Sequence, residues 1–487
     1  MRRSRHNLSH THKLSCDMGQ LIPVCTEEVL PGDTFKGSTS LLARVAPQVK
    51  PVMHDVDIRV HHWYIPNRIL WSGWEDFITG EDDVTAKPSI TLAAELDLVD
   101  HMGMYPLAGL EMDALPVRAY NKVWNEFYRD QDLATERGED DLDIARIAWG
   151  KDYFTTARPT PQQGDPFDIG FSAGVAPVGG IGFLANSSST SQINTNTRNR
   201  SGAVQDVDGF RVGESHTETT AGNASLVIEE LDGSPGHPWI YADLTAATGG
   251  IDINDLRQSI ALQRIAEARA RYGHRYVDYL RFLGVNPKDG RLSRPEYLGG
   301  GTENINFSEV IQTAEGGSTD IGDLYGHGIA SMRSKTYMKM FEEHGWVMSL
   351  LSVRPKTSYL QAFPRKFNRT IATDYWHREL ENLPWQTVYE TEVYAPGTAS
   401  NVFGYVPRYD EYRNNFNYAS GTFRSTELDW HMARDLQSAP TLNETFVECT
   451  PTDRVYADTS MPEMIISAYN SIKAKRLITD RARLASL

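Results

Sequence analysis

Strand-like alternation marks the two ends of this 487-residue chain and is scarce between them. Over residues 55–64, Val56, Ile58, Val60, His62 and Tyr64 fall on one side and Asp57, Arg59, His61 and Trp63 on the other. That two-residue period belongs to a strand with one buried face. Residues 38–49 are rich in Thr, Leu and Val and run into Pro47 and Pro51, which predicts a second strand and a tight connection. Strand signals return at 346–353, 387–394, 403–406 and 445–449, separated by Pro and Gly turns. Helical spacing lies between: Val117, Tyr120, Trp124 and Phe127 or Tyr128 within 116–129, and Leu256, Ile260 and Gln263 within 255–271, where Asp255 and Gln258 form a capping-box pair. Three domains in series fit the length, but one β domain built from both ends of the chain fits the distribution better. The fold class is mainly β, with a single antiparallel jelly roll as the natural candidate. Its two sheets pair strands distant in sequence, and its connecting loops accept large insertions, helices among them, without disturbing the core.

The middle contains a segment, 171–236, dense in Gly, Ser, Thr and Asn. A structureless loop of that length is improbable inside a compact domain, so it is either disordered or an ordered excursion stabilised by neighbouring chains; β-prone pieces such as 224–228 favour the second. No window approaches the 18 or so apolar residues of a membrane helix. The charged start, Met1-Arg2-Arg3-Ser4-Arg5-His6, lacks the apolar segment of a secretory signal. Three cysteines, Cys16, Cys25 and Cys449, form neither a disulfide framework nor a zinc spacing, which suits synthesis in a reducing cytoplasm. The formal charge of -16 argues against nucleic-acid binding over the whole surface, yet Arg2, Arg3, Arg5 and Lys13 crowd one end and Lys473, Lys475, Arg476, Arg481 and Arg483 the other.

Enzyme signatures are missing: there is no HExxH, GxxxxGK[ST], GxSxG or strand-following GxGxxG. No catalytic residue, metal ligand or cofactor is expected. His61 and His62 are neighbours on a strand and face opposite ways, so hydrogen-bonded burial is expected rather than shared metal ligation. Tyr325-Gly326-His327-Gly328 reads as a flexible loop, and Glu75, Asp76, Glu81, Asp82 and Asp83 as a solvated one. Trp63, Trp71 and Trp74, with Trp376 in a second aromatic series, are read as core or subunit-border groups.

Several long blocks resemble the major capsid protein of microviruses, most closely the gokushovirus group. They are His6-Asn7-Leu8-Ser9, Cys16-Asp17-Met18-Gly19-Gln20-Leu21-Ile22-Pro23, Glu28-Val29-Leu30-Pro31-Gly32-Asp33-Thr34 and Pro51-Val52-Met53-His54. The likeness continues through 61–68, 74–80, Arg294-Pro295-Glu296-Tyr297-Leu298-Gly299-Gly300-Gly301 and Glu343-His344-Gly345-Trp346. It excepts 171–236 and much of the far C-terminus.

The resemblance implies a non-enzymatic structural protein that assembles through pentamers into a T=1 icosahedral shell of sixty copies around circular single-stranded DNA. Further implied partners are a small basic DNA-packaging protein, an internal scaffolding protein, a minor pilot protein and a bacterial host-surface receptor, without membrane insertion. The organisation implied is a basic arm and extended segment over 1–37 and a single eight-stranded jelly roll with long inter-strand loops over 38–487, its strands mainly in 38–65 and 300–450. Insertions fill 66–300, and a basic tail runs over 470–487. Segment 171–236 is expected to form a threefold protrusion, with Phe171, Gly182, Ser188, Asn196, Arg200 and Phe210 as markers; three copies would bury together what one cannot. Arg2, Arg3, Arg5 and Lys13 are the genome-contact candidates, facing the shell interior. The alternative is a host-surface spike, a β-sandwich with a glycan site built from aromatics.

Overall fold

The computed structural model describes residues 3–79, 86–92, 97–162, 293–313 and 320–479, helix 253–272 and six short strands between 178 and 242. Contacts divide the chain into one unit of residues 1–163 and 269–487 and a second of 164–268.

The first unit is an antiparallel sandwich. Its strands are β1 (Ser4–Asn7), β2 (His10–Cys16), β3 (Leu21–Val29), β4 (Thr34–Val45), β5 (Val56–Pro66), β6 (Glu296–Asn304), β7 (Asn306–Ile311), β8 (Leu324–Arg333), β9 (Tyr337–Met340), β10 (Gly345–Pro355) and β11 (Met464–Arg476). One sheet has the order β1/β2–β11–β4–β8/β9–β7; the other is β6–β5–β10–β3. Breaks after Asn7 and Arg333 split two columns, so the eleven segments form nine columns, five in one sheet and four in the other. Successive strands cross repeatedly from sheet to sheet, and β11, which pairs with β1, β2 and β4, closes the larger sheet.

Alternation explains the packing. Val56, Ile58 and Val60 of β5 meet Leu41, Ala43, Met464, Ile466 and Ala468 of the opposite sheet, with Leu351 and Val353 beside them. Nearer the other end of the sandwich, Phe35, Tyr64, Phe341, Val347 and Ile472 form a second apolar group. A polar network lies in the same interior. The His62 ring nitrogens stand 2.8 Å from Ser349 Oγ and 2.8 Å from Ser334 Oγ. Ser334 Oγ accepts from the Thr39 N–H, Thr39 Oγ1 donates to Asn470 Oδ1, and Asn470 Nδ2 donates to the Val24 carbonyl. Each of these side chains is buried, which leaves no water to take over a broken bond.

Much of the outer face of the four-stranded sheet is covered as well. Helix α1 (Leu115–Phe127) has Pro116 in its first turn, and the Asp113 carboxylate accepts from the Leu115 N–H. Its Tyr120, Val123 and Trp124 pack with Leu21, Trp63, Ile65 and Leu350, and Tyr120 OH donates to the Leu21 carbonyl at 2.7 Å. Cys16, Cys25 and Cys449 are free and buried, so they act as small apolar groups.

Several expectations need correction. Residues 470–476 continue strand β11, and 4–29 supply three strands; 1–37 and 470–487 are therefore not simply an arm and a tail. Residues 325–328 belong to β8, where a Cβ on Gly326 would come within 2.4 Å of Gln48 Oε1 and one on Gly328 within 2.6 Å of Val45 Cγ2. Those glycines serve close packing, not flexibility. Residues 445–449 carry a helical turn, Glu444–Val447, because Asn443 Oδ1 caps it by accepting from the Phe446 N–H. The 387–394 strand stops at Tyr389, whose N–H is taken by the Glu392 carboxylate at the start of the turn Glu390–Val393. Helix α2 (Ile253–Tyr272) starts two residues before Asp255. In the second unit, Ile181–Leu184 pairs with Ser225–Ile228 and Asn196–Arg198 with Val204–Asp206.

Burial, and next the neighbouring His61, lower the His62 pKa to about 4. The neutral ring is therefore the folded form, and its contribution is complete above the unfolded value near 6.5 and lost as pH falls towards 4. Denaturant titrations at pH 7 and pH 4.5 should show His62→Gln losing up to about 3 kcal/mol less than the parent chain on acidification. Trp74, 9% exposed, lies against His344 and the α1 core. Trp74→Ala should cost roughly 3–5 kcal/mol in the same titration.

Candidate nucleic-acid interface

The inner face of the seven-stranded sheet is apolar, so its outer face shows what the sequence offers to solvent. Residues paired across antiparallel strands share a face, which makes the register a map of it. Arg5 lies opposite Lys475 and Asn7 opposite Lys473; Lys473 in turn faces Lys36. Further along, Thr11, Tyr469, Ser40 and Arg333 form one row, and Lys13, Ser467, Leu42 and Ser331 the next. Ser15, Ile465, Arg44, Ile329 and Asn306 follow. Seven cations thus stand on one face: Arg5, Lys13, Lys36, Arg44, Arg333, Lys473 and Lys475, all exposed. Among the described residues, no strand position of that face carries a carboxylate, although Asp and Glu outnumber Lys and Arg by 64 to 48 in the chain.

None of the seven makes an ion pair or side-chain hydrogen bond with a described residue. Their charge is therefore available to an external anion. Exposed apolar groups sit among them, notably Tyr469 (49% exposed), Ile465, Leu42, Met338 and Met340. Cations spaced along a sheet face with an exposed aromatic among them suit an extended polyanion with unstacked bases, the combination that binds single strands without sequence preference.

Of the expected genome contacts, Arg5 and Lys13 belong to this face. Arg3 sits at its corner, its guanidinium 3.8 Å from Met340 Sδ, and Arg2 lies outside the described residues, as do Arg481 and Arg483. Sequence alone does not single out Lys36, Arg44 and Arg333, and Lys473 and Lys475 stand in a strand rather than in the tail expected there. Alternation over 464–476 is the available signal, blurred because Ile465 and Tyr469 fall on the solvent side.

The aromatics divide differently. Trp63 and Trp74 are core residues, Trp63 stacked on Phe127 with ring centroids 4.2 Å apart, and Trp71 is half-buried against Phe77. Trp376 is 53% exposed and lies in a segment where Phe367, Ile371 and Tyr375 are exposed too. His61 pairs with Tyr128 OH at 2.8 Å, as a hydrogen-bonded, half-buried histidine should. Among the protrusion markers, Gly182 and Asn196 lie in the short paired strands of the second unit; Phe171, Ser188, Arg200 and Phe210 lie outside the described residues. Glu75 is exposed, 3.8 Å from Arg68, while Glu81, Asp82 and Asp83 also lie outside.

Replacing Lys13, Lys36, Lys473 and Lys475 together by Gln should weaken single-stranded DNA binding and flatten its logarithmic salt dependence by about 0.7 for each phosphate no longer neutralised. Tyr469→Ala should instead cost roughly 1–3 kcal/mol with the slope retained. Fluorescence anisotropy across a salt series reads both.

The family model described as "Capsid protein (F protein)" matches residues 1–483. Capsid protein VP1 of Chlamydia phage 1 is 32% identical, covering 98% of this chain and 94% of its own length. Capsid protein VP1 of Bdellovibrio phage phiMH2K is 33% identical over 93% of this chain and 89% of its own length. That of Spiroplasma virus 4 is 29% identical, with 92% and 87% covered.

Proposed function

The chain belongs to the capsid protein (F protein) family, and from that premise we propose that sixty copies close a T=1 icosahedral shell with the basic sheet face turned inward against circular single-stranded DNA. The protein is a structural major capsid protein of a microvirus, not an enzyme, and its place is the virion. The observation that carries the inward orientation is the segregation of charge: seven unpaired cations and no carboxylate among the described strand positions of one sheet face, in a chain with formal charge -16. Such a face neutralises phosphates in any sequence context, and the acidic remainder keeps the outside from adhering to nucleic acid.

Contacts between copies are drawn from surfaces that a lone chain leaves apolar. Phe367, Ile371, Tyr375 and Trp376 are more than half exposed, and the Arg369 guanidinium lies over the Tyr375 ring, 5.2 Å from its centroid. Aromatic and arginine side chains are the groups that anchor protein interfaces. Pentamers formed through such patches are the assembly unit of this reading. The 171–236 insertion, within the second compact unit, makes the threefold protrusion with two neighbouring copies and meets the bacterial surface receptor. Synthesis in the host cytoplasm, an internal scaffolding protein, a small basic packaging protein and a minor pilot protein complete the proposal.

Sedimentation and electron microscopy of the native particle test it. Sixty chains of 54.7 kDa give a protein shell of about 3.3 MDa, with density rising at the threefold axes and the seven-stranded sheet lining the interior. A shell with that sheet outermost would reject the orientation. Trp376→Asp should leave the chain's melting temperature within a few degrees of the parent and abolish closed particles in the same sedimentation run.

A further inference from the structure

On the opposite side of the sandwich from the basic face, a cavity of about 560 Å³ opens against the outer surface of the four-stranded sheet. Two arginines reach into its lining from neighbouring strands. Arg59 on β5 lies opposite Ser352 and Arg354 on β10 opposite Asp57, so the two are diagonal neighbours on one face. Asp57 answers only one of them, accepting from Arg59 Nη2 at 2.8 Å. Arg354 Nη1 donates to the Ala148 carbonyl at 3.1 Å, and no carboxylate stands within ion-pair distance of its guanidinium among the described residues.

None of the remaining charged groups of the lining pairs directly with Arg354. Lys151 is engaged by Asp130, and Lys356 by Asp55 at 3.0 Å. The Asp152 carboxylate is taken by Tyr359 OH, by Thr155 Oγ1 and by the N–H groups of Phe154 and Thr155. Arg59 Nε is buried and has no hydrogen-bond partner. The pocket therefore holds one guanidinium without a direct ion-pair partner and a second with an unused donor, with Asp57 and Asp152 as the carboxylates of the lining. Burial, and next the charge of Arg59, lowers the pKa of Arg354. An unpaired, half-buried charge beside a like charge is costly until an anion joins it.

We infer that this cavity binds a phosphate group, gripped between the guanidinium groups of Arg354 and Arg59. The planar fork of arginine matches a tetrahedral oxyanion, and the cavity lies within the size range of small-ligand sites. Asn414, Asn415 and Asn417 line it; Asn414 donates to Asp410 and Asn417 to the Thr357 carbonyl, so Asn415 is the amide left to meet whatever carries the phosphate. The site is separate from the basic sheet face and does not depend on that face meeting DNA.

Equilibrium dialysis of the full chain against radiolabelled orthophosphate, with chloride at matched ionic strength, tests the inference. Saturable binding of one phosphate per chain is expected, weakened at least tenfold in Arg354→Met. Absence of saturable binding to the parent chain overturns the inference, whatever the fate of the Arg354→Met variant. So does equal binding by parent and a folded Arg354→Met chain. A short single-stranded oligonucleotide added as competitor identifies the source: displacement assigns the group to a nucleic-acid backbone, and its absence to a small soluble phosphate.

Discussion

His62 and its partners set the register of the sandwich, because a buried polar chain tolerates only one arrangement of the strands that carry it. Six segments contribute: β5 through His62, β10 through Ser349, Ser334 beside β8, β4 through Thr39, β11 through Asn470 and β3 through the Val24 carbonyl. Slipping any strand by one residue would turn its polar group to the other face and strand its partners without water. Apolar contacts alone would accept several alignments of strands rich in Val, Ile and Ala. The network and the two apolar clusters beside it are thus complementary: one supplies most of the burial, the other the uniqueness.

A second consequence follows from which faces are covered. The segment between β5 and β6 spreads α1 and its neighbours over the outside of the four-stranded sheet, covering much of its second face. The seven-stranded sheet keeps one face open, and the cations gather there. Its charge is spread over strands from both ends of the chain, so it exists only in the folded protein: Lys36 and Lys473 are neighbours through pairing, not through sequence. An acidic chain thereby presents a cationic plane without a polybasic run.

The mainly-β class and the elements β5 and α1 are legible in the sequence because one face of each is apolar and the period is clean, and β10 is legible as a continuous apolar run buried on both faces. Strand β11 is hidden because Ile465 and Tyr469 interrupt the alternation on the solvent side, and β8 because Gly326 and Gly328 imitate a loop. Helical turns at Glu390–Val393 and Glu444–Val447 are masked because capping by Glu392 and Asn443 overrides the β preference of Thr and Val. Half of the basic face is legible as clustered charge near the ends. Lys36, Arg44 and Arg333 are not, since only the pairing of distant strands brings them to Arg5 and Lys475.

Strand β11 is the last of the described strands to leave the ribosome, and it occupies a central column of its sheet. Synthesis at roughly 5–20 residues per second means that β1, β2 and β4 wait on the order of half a minute or more for the strand that joins them. Until then their facing edges are open, and the cationic plane lacks Lys473 and Lys475. A prematurely terminated chain would therefore lack both the closed sheet and the completed plane.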